Sequence, residues 1–430
     1  VQREGPLALQ LGRYKKIGDL IRRNVLDRIK GRRHTVAVNW SALLEEKFGP
    51  TQDEEERRAR KEKAKALAEL AESRFSVLAG PAGAGKTTVL SLLCSQPTIQ
   101  ADGLLLLAPT GKARVRMQQL AAGSTAAQTV AQFLNSLGRY DGKSGRYMVT
   151  EGPRAQGFGT VIVDEASMLT EDMLGALFDA LQGVKRFILV GDPAQLPPIG
   201  AGRPLVDIIS KLRPQDYEHR FPRVAPGYAE LTIERRQIGS DRPDLRLARW
   251  FSAHPPGPGE DEVFSGADAS YPALRFVSWE NPEDFQRKLL DVLVDELQLK
   301  NDKDERSFDL ALGATEQGEY RYFNQSFKGK PGAVDKVEDW QILSPLRGMP
   351  FGVSDINRLL QERLRAGWIE FASRQRNRSI PQPLSAERIV YGSKVINLSN
   401  HKRDGKRVYP QDGALGYLAN GEIGIVVGMW

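Results

Sequence analysis

One cysteine, Cys94, is the whole thiol inventory of this chain. A single thiol excludes an intramolecular disulfide framework and a cysteine-based zinc site. It also fits a reducing cytosol, so the cytoplasm is the expected compartment. Cys94 stands in "VLSLLCSQ" and reads as a small core residue rather than a nucleophile. Histidine is scarce as well: the four, at 34, 219, 254 and 401, are scattered and suggest no metal cluster. No run approaches the ~18 apolar residues of a membrane span, and no membrane partner is expected. The longest run, "GLLLLAP" at 103–109, has the length of a buried strand. No secretory leader is visible; because the first residue is Val1, a preceding leader or domain is allowed for.

What is present is ordinary for soluble globular domains: 27% charged and 40% hydrophobic residues. A length of 430 residues favours two or three domains. The net charge of +7 is unevenly placed. Residues 1–34 hold ten Lys/Arg and three Asp/Glu, which already makes +7, so the remainder is formally neutral. This basic segment suggests an anionic partner such as nucleic acid, with a merely solvated helix face as the equal alternative.

Ile17, Leu20, Ile21, Val25 and Ile29 recur near helical spacing, predicting a basic amphipathic helix over about 12–30. A second helix is expected in "TQDEEERRARKEKAKALAELAE", with acids early and bases later as the helix dipole favours. From "RFSVLAG" onward short apolar runs alternate with helix-like stretches: "GLLLLAPT", "GTVIVDEAS" and "RFILVGDP" each end in a turn. That alternation predicts a parallel sheet covered on both faces, with the chemistry at the carboxyl ends of its strands. Residues 239–270, rich in proline, glycine and acid, read as a linker, and a second alternating region follows over 271–430. Its last strand-like run, "GEIGIVVGMW", has no closing element, and a truncated C-terminus is expected.

"GPAGAGKT" fits G-x-x-x-x-G-K-[ST] between an apolar strand and an apolar helix. The expected phosphate cradle comprises Gly80, Pro81, Ala82, Gly83, Ala84, Gly85, Lys86, Thr87 and Thr88. Lys86 would neutralise β/γ-phosphate oxygens, and the Thr87 hydroxyl would ligate Mg²⁺. "TVIVDEAS" places Asp164 and Glu165 at a strand end. Asp164 suits the Mg²⁺ and Glu165 suits a general base for the attacking water. In "FILVGDPAQLPPIGAG", Gln195 follows a third buried strand and precedes a rigid Leu-Pro-Pro, where it could sense a γ-phosphate. Tyr140, Tyr147 and Val149 alternate around "DGKSG", which predicts a β-hairpin.

Taken in order, "GPAGAGKT", "LLAPTGKA", "VIVDEASM", "LVGDPAQLPPIG" and "LTIERRQ" resemble the motifs of superfamily 1 helicases, and most closely the RecD-like branch. The likeness is good over about 75–240, moderate over 338–430 and slight elsewhere. It implies an α/β P-loop NTPase with two RecA-like parallel-sheet domains, a small β-hairpin insertion and a helical N-terminal segment. The corresponding boundaries are 1–50 for the basic helical segment, 51–238 for the first RecA-like domain with its hairpin at about 138–158, and 239–270 for the linker. An incomplete second domain then occupies 271–430, ending in the start of an inserted β-module. ATP would lie between the two domains and single-stranded nucleic acid across them.

The resemblance also carries residue roles. Arg236 matches the arginine that reaches the γ-phosphate, joining Lys86, Glu165 and Gln195 as the catalytic set. Pro109, Thr110 and Lys112 match the segment that grips the strand's backbone, and Arg347 is expected at the nucleic acid too. The hairpin is expected near the point of strand separation. Three departures stand out. Glu62 or Lys63 lies near the place of an adenine-reading glutamine, Gln132 stands where relatives often carry histidine, and the late motor motifs are expected beyond residue 430. The implied activity is ATP-dependent, 5′→3′ DNA unwinding or translocation in repair, recombination or defence, with nuclease or repair subunits as possible partners. An RNA-directed helicase and a nucleotide-switched sensor subunit remain the alternatives.

Overall fold

The computed structural model describes residues 11–120, 126–233, 243–251, 261, 264, 274–323, 326–327, 330–374, 383–398, 401–402, 417–418 and 420–427. The chain divides into two compact units, Val1–Leu274 and Arg275–Trp430. No described helix is long and apolar enough to cross a membrane.

The first unit is built on a seven-stranded sheet in the order β3-β2-β6-β7-β1-β9-β8. Its strands are β1 (Phe75–Ala79), β2 (Leu104–Ala108), β3 (Gln128–Thr129), β6 (Thr160–Val163), β7 (Arg186–Gly191), β8 (Arg223–Ala225) and β9 (Tyr228–Glu230). All neighbours are parallel except β8 and β9, which close one edge as an antiparallel pair. The parallel core strands are buried along their whole length, which is why they read as unbroken apolar runs.

Alternate side chains of each strand feed two separate cores. Phe75, Val77, Leu105, Leu107, Val161 and Leu189 point to one face. There they meet α1 (Gly12–Lys30), α7 (Val130–Ser136), α8 (Glu171–Ala180) and α9 (Pro204–Leu212). Leu78, Leu104, Leu106, Ile162 and Ile188 point to the other. That face is covered by α2 (Trp40–Phe48), α3 (Glu54–Glu72), α4 (Lys86–Cys94) and α6 (Gly111–Leu120), with the short α5 (Pro97–Ala101) beside them. Each fully buried leucine or valine contributes roughly 1.5–3 kcal/mol, so the two-sided cover is what fixes the strand register.

Local chemistry sets the helix ends. The Asp53 side chain caps α3 by accepting from the Glu55 amide, and Glu54–Glu56 occupy the first turn. Thr129 and Gln132 form a reciprocal capping box on α7, so the glutamine standing in place of a histidine has a structural task. The basic α1 buries Ile17, Ile21 and Val25, with Ile17 lying against Gly175 of α8. Its charged face is left to solvent.

β4 (Tyr140–Asp141) and β5 (Arg146–Tyr147) form the hairpin, with the Tyr140 and Tyr147 rings 4.7 Å apart. At its base the fully buried Arg139 binds Asp179 at 2.8 Å and the carbonyl of Pro153 at 2.6 Å.

The stretch read as a linker contains a helix, Pro243–Trp250. Among the described residues of the second unit, strands pair as antiparallel two-stranded ribbons, β10–β11, β12–β13, β14–β17 and β15–β16. They span Thr315–Gln317, Tyr320–Tyr322, Ser326–Phe327, Lys330–Pro331, Lys394–Ile396, His401–Lys402, Tyr417–Leu418 and Ile423–Ile425. The expected second parallel sheet is not among those pairings. The apolar runs "DWQILSP" and "ERIVYGS" lie mostly in irregular backbone. A buried Asp309 holds this unit together, binding Arg321 at 2.6 Å and pairing with the buried Arg365.

Candidate active site

The glycine loop leaves β1 and delivers the chain into α4. A methyl at Gly80 would come within 2.7 Å of the Leu231 carbonyl oxygen, so the position admits no side chain. Gly85 sits at φ +95° as the residue before α4, a left-handed conformation that costs other residues about 1–2 kcal/mol. The loop can therefore curl tightly enough to aim the free N–H groups and positive end of α4 at one point. Lys86 Nζ donates to the carbonyls of Gly80 at 2.6 Å and Pro81 at 2.9 Å. A phosphate oxygen is a stronger acceptor than an amide carbonyl, so the ammonium is placed to exchange one for the other. Ala84 is buried beneath the loop and Val89 anchors the helix. Ala82 and Thr87 are exposed, while Pro81, Gly83 and Thr88 are half-buried.

Asp164 and Glu165 follow β6, two strands away in the sheet. Burial lifts the Asp164 carboxyl to about 6, an effect reinforced by the Glu165 charge and opposed by the Glu165 amide, Lys86 and Arg116. Lys86 and Asp164 thus feel each other's charge although 77 positions separate them. Glu165 is held at φ +50°, ψ +40°, a conformation uncommon for a side-chain-bearing residue, at the point where the chain turns from strand into a short 3-10 helix. Its Oε1 lies 4.0 Å from Arg116 Nη1. Arg116, on α6, lies three residues beyond the end of "LLAPTGKA" and is no part of that motif, so local pattern does not single it out. Only the β2–β6 pairing brings its helix beside the acids.

Gln195 follows β7, the strand between β6 and β1. Its Oε1 accepts from the Ser167 hydroxyl at 3.1 Å, which ties it to the segment carrying the acid pair. The loop beyond it is exposed, with Leu196 at 86% and Ile199 fully open.

After β2, the Thr110 hydroxyl accepts from the Ala113 amide at 3.3 Å and so caps α6. Pro109 is half-buried and Lys112 exposed at the same strand end. Arg347 is exposed in the second unit, ahead of the helix Val353–Leu364. Arg236 lies outside the described residues, as does the rest of "ERRQ". The residues just before it are held by Glu62, one of the two residues near the place of an adenine-reading glutamine. The Glu62 carboxylate is fully buried and accepts from the Thr232 amide and hydroxyl. The neighbouring Lys63 packs its stem against Gly85.

Five motif segments thus emerge from the carboxyl ends of β1, β2, β6, β7 and β9 of one sheet. Residues 58–218 match the AAA domain family. The chain is 35% identical over 145 residues to the ATP-dependent RecD2 DNA helicase of Deinococcus radiodurans, covering 34% of this chain and 19% of that protein. It is 28% identical over 252 residues to the RecBCD enzyme subunit RecD of Mycobacterium tuberculosis, covering 52% of this chain and 40% of that one. The chain therefore spans less than half the length of these curated relatives. Among solved structures, Pif1 helicase from Bacteroides in complex with ADP-AlF3 and ssDNA shows 17% identity over 92% of this chain and 71% of that one, with a TM-score of 0.32. By motif order and the sequence matches, the P-loop domain of this chain is similar to the RecD-like branch of superfamily 1.

Proposed function

We propose that the chain is an ATP-dependent DNA helicase or translocase that moves 5′→3′ on single-stranded DNA. The observation that carries this reading is the convergence at the carboxyl ends of one sheet's strands of the Lys86 ammonium, the half-buried Asp164 and Glu165, and Gln195 tethered through Ser167. A simple nucleotide switch has no use for the second acid or the tethered glutamine. The loop from Gly80 to Thr88 binds the phosphates, and Arg236 supplies a further positive charge to them. Pro109, Thr110, Lys112 and Arg347 contact the nucleic acid backbone, where contacts give affinity without sequence preference.

The residues fit Mg²⁺. The ion prefers few protein ligands, retaining water and phosphate oxygens instead. Accordingly, no group of three or more His, Cys, Asp or Glu side chains is gathered among the described residues. The exposed Thr87 hydroxyl and the Asp164 carboxylate would hold it, and once bound the ion neutralises charge on the phosphates. Glu165 orients and deprotonates the attacking water, while Lys86 and Arg236 stabilise the charge that develops on the transferred group.

The relatives named as a DNA helicase and as RecBCD subunits favour DNA and a role in repair or recombination, alone or beside partner subunits. The test is ATP hydrolysis with and without poly-dT, against poly-U, followed by unwinding of 5′-tailed and 3′-tailed duplexes. Stimulation by poly-dT, its loss in Lys86→Ala and use of 5′ tails are expected. Stimulation by poly-U alone would assign RNA instead, and exclusive use of 3′ tails would reject the polarity.

A further inference from the structure

The opposite edge of the same sheet carries a second feature that nucleotide chemistry does not use. Arg74 precedes β1 and Lys185 precedes β7, so both lie at the amino ends of the strands. The carboxyl end of α1 and the chain just after it meet them there. Together Arg28, Arg32, Arg33, His34, Arg74 and Lys185 line an open cavity of about 620 Å³.

Some of these charges are neutralised. Arg33 binds Glu69 at 2.8 Å and Glu72 at 3.2 Å. Lys185 pairs with Asp102, which Arg186 also binds at 3.0 Å. The His34 ring meets the Lys185 carbonyl at 3.1 Å. Arg28, Arg32 and Arg74 have no carboxylate partner among the described residues. Arg28 donates to the Val184 carbonyl at 2.8 Å, a neutral acceptor that leaves its charge uncompensated. Burial and the facing Arg74 guanidinium both disfavour that charge. Asp27 stands beside an adjoining smaller cavity against Arg23, Arg28 and Arg74, so that rim too is net positive.

A helix carboxyl terminus offers only about half a negative charge, too little to account for three unpaired guanidiniums. Guanidinium forks match phosphate oxygens, and among the described residues no Phe, Tyr or Trp lines the cavity to stack a base. The solvent face of α1 adds Lys15, Lys16, Arg22 and Arg23, all exposed, and stays net positive although Asp19 and Asp27 are exposed among them. At 1.5 Å per residue that helix is about 28 Å long, a track suited to a polymer of regularly spaced phosphates rather than to one small anion.

We infer that the cavity between α1 and the amino edge of the sheet is a second nucleic-acid site, in which Arg28, Arg32 and Arg74 bind the phosphodiester backbone. It is separate from the nucleotide site and does not depend on the activity proposed above. The test is binding of fluorescent oligo-dT to the full chain across a salt series. Arg32→Gln with Arg74→Gln should weaken binding severalfold and make the log K against log salt slope shallower by about 1.4, that is ~0.7 for each lost single-strand phosphate contact. Arg32→Lys with Arg74→Lys should keep the slope. Hydrolysis of ATP without nucleic acid should be unchanged in both. An unchanged slope and affinity in the double Gln variant would overturn the inference. So would a result in which that variant loses only calorimetric binding of pyrophosphate, which would make the cavity a small-anion site.

Discussion

Glu62 Oε1 accepts from both the Thr232 amide, at 2.9 Å, and the Thr232 hydroxyl, at 2.7 Å. Through this one carboxylate α3 holds the chain as it leaves β9, immediately ahead of the segment that leads to Arg236. Burial pushes the Glu62 carboxyl upward, and the donors from Thr232 and Ile233 pull it back. Glu62→Ala removes the acceptor of the half-buried Thr232 donors and should cost roughly 1–3 kcal/mol in urea unfolding. Glu62→Gln, which keeps an acceptor, should cost less. Equal losses for the two would show that packing, not the hydrogen bonds, is what Glu62 provides.

Glu165→Gln is expected to lower ATP turnover by about 10²–10⁴-fold while leaving nucleotide affinity near wild type. Single-turnover hydrolysis alongside equilibrium binding of a fluorescent ATP analogue separates the two. A proportional fall in affinity would place Glu165 in binding rather than in activation of water.

Arg139 anchors the hairpin insertion by binding Asp179 and the carbonyls of Leu137, Pro153 and Gly152. Arg139→Ala leaves the buried Asp179 with only the Thr150 amide at 3.1 Å and the more distant, exposed Arg154 at 3.5 Å, and should destabilise the first unit by roughly 3 kcal/mol. The loss should shrink when Asp179→Asn is added, since the uncompensated charge is then gone. A double variant no more stable than the single one would contradict this account.

Burial pushes the Cys94 thiol up to about 12. The folded chain should therefore resist a thiol reagent at about pH 8 and react with one equivalent only after denaturation. The folded state holds this proton above the unfolded value, so the contribution is complete below about 8.5 and is lost as pH rises towards 12. Rapid labelling of the native protein would show that the helix carrying Cys94 opens locally.

Much of the candidate site was legible in the sequence because each piece is short and contiguous. "GPAGAGKT" encodes its own backbone through glycines at left-handed positions, and "VIVDEAS" brings its acids to a strand end by the length of its apolar run. Gln132 illustrates the limit: its position suggested a substituted functional residue, whereas the structure gives it to the capping box of α7. Thr110 also has a structural task, capping α6, beside the nucleic-acid contact proposed for it.

By itself, then, the sequence determined the phosphate loop, the strand-borne acids and the parallel alternation, since these depend on residues a few positions apart. Tertiary structure alone decided which distant residues meet. It set Arg116 beside Glu165, Glu62 beneath Thr232, Arg139 against Asp179, and gathered Arg28, Arg32 and Arg74 around one cavity. Such pairings follow from strand order and helix packing, which local periodicity does not encode.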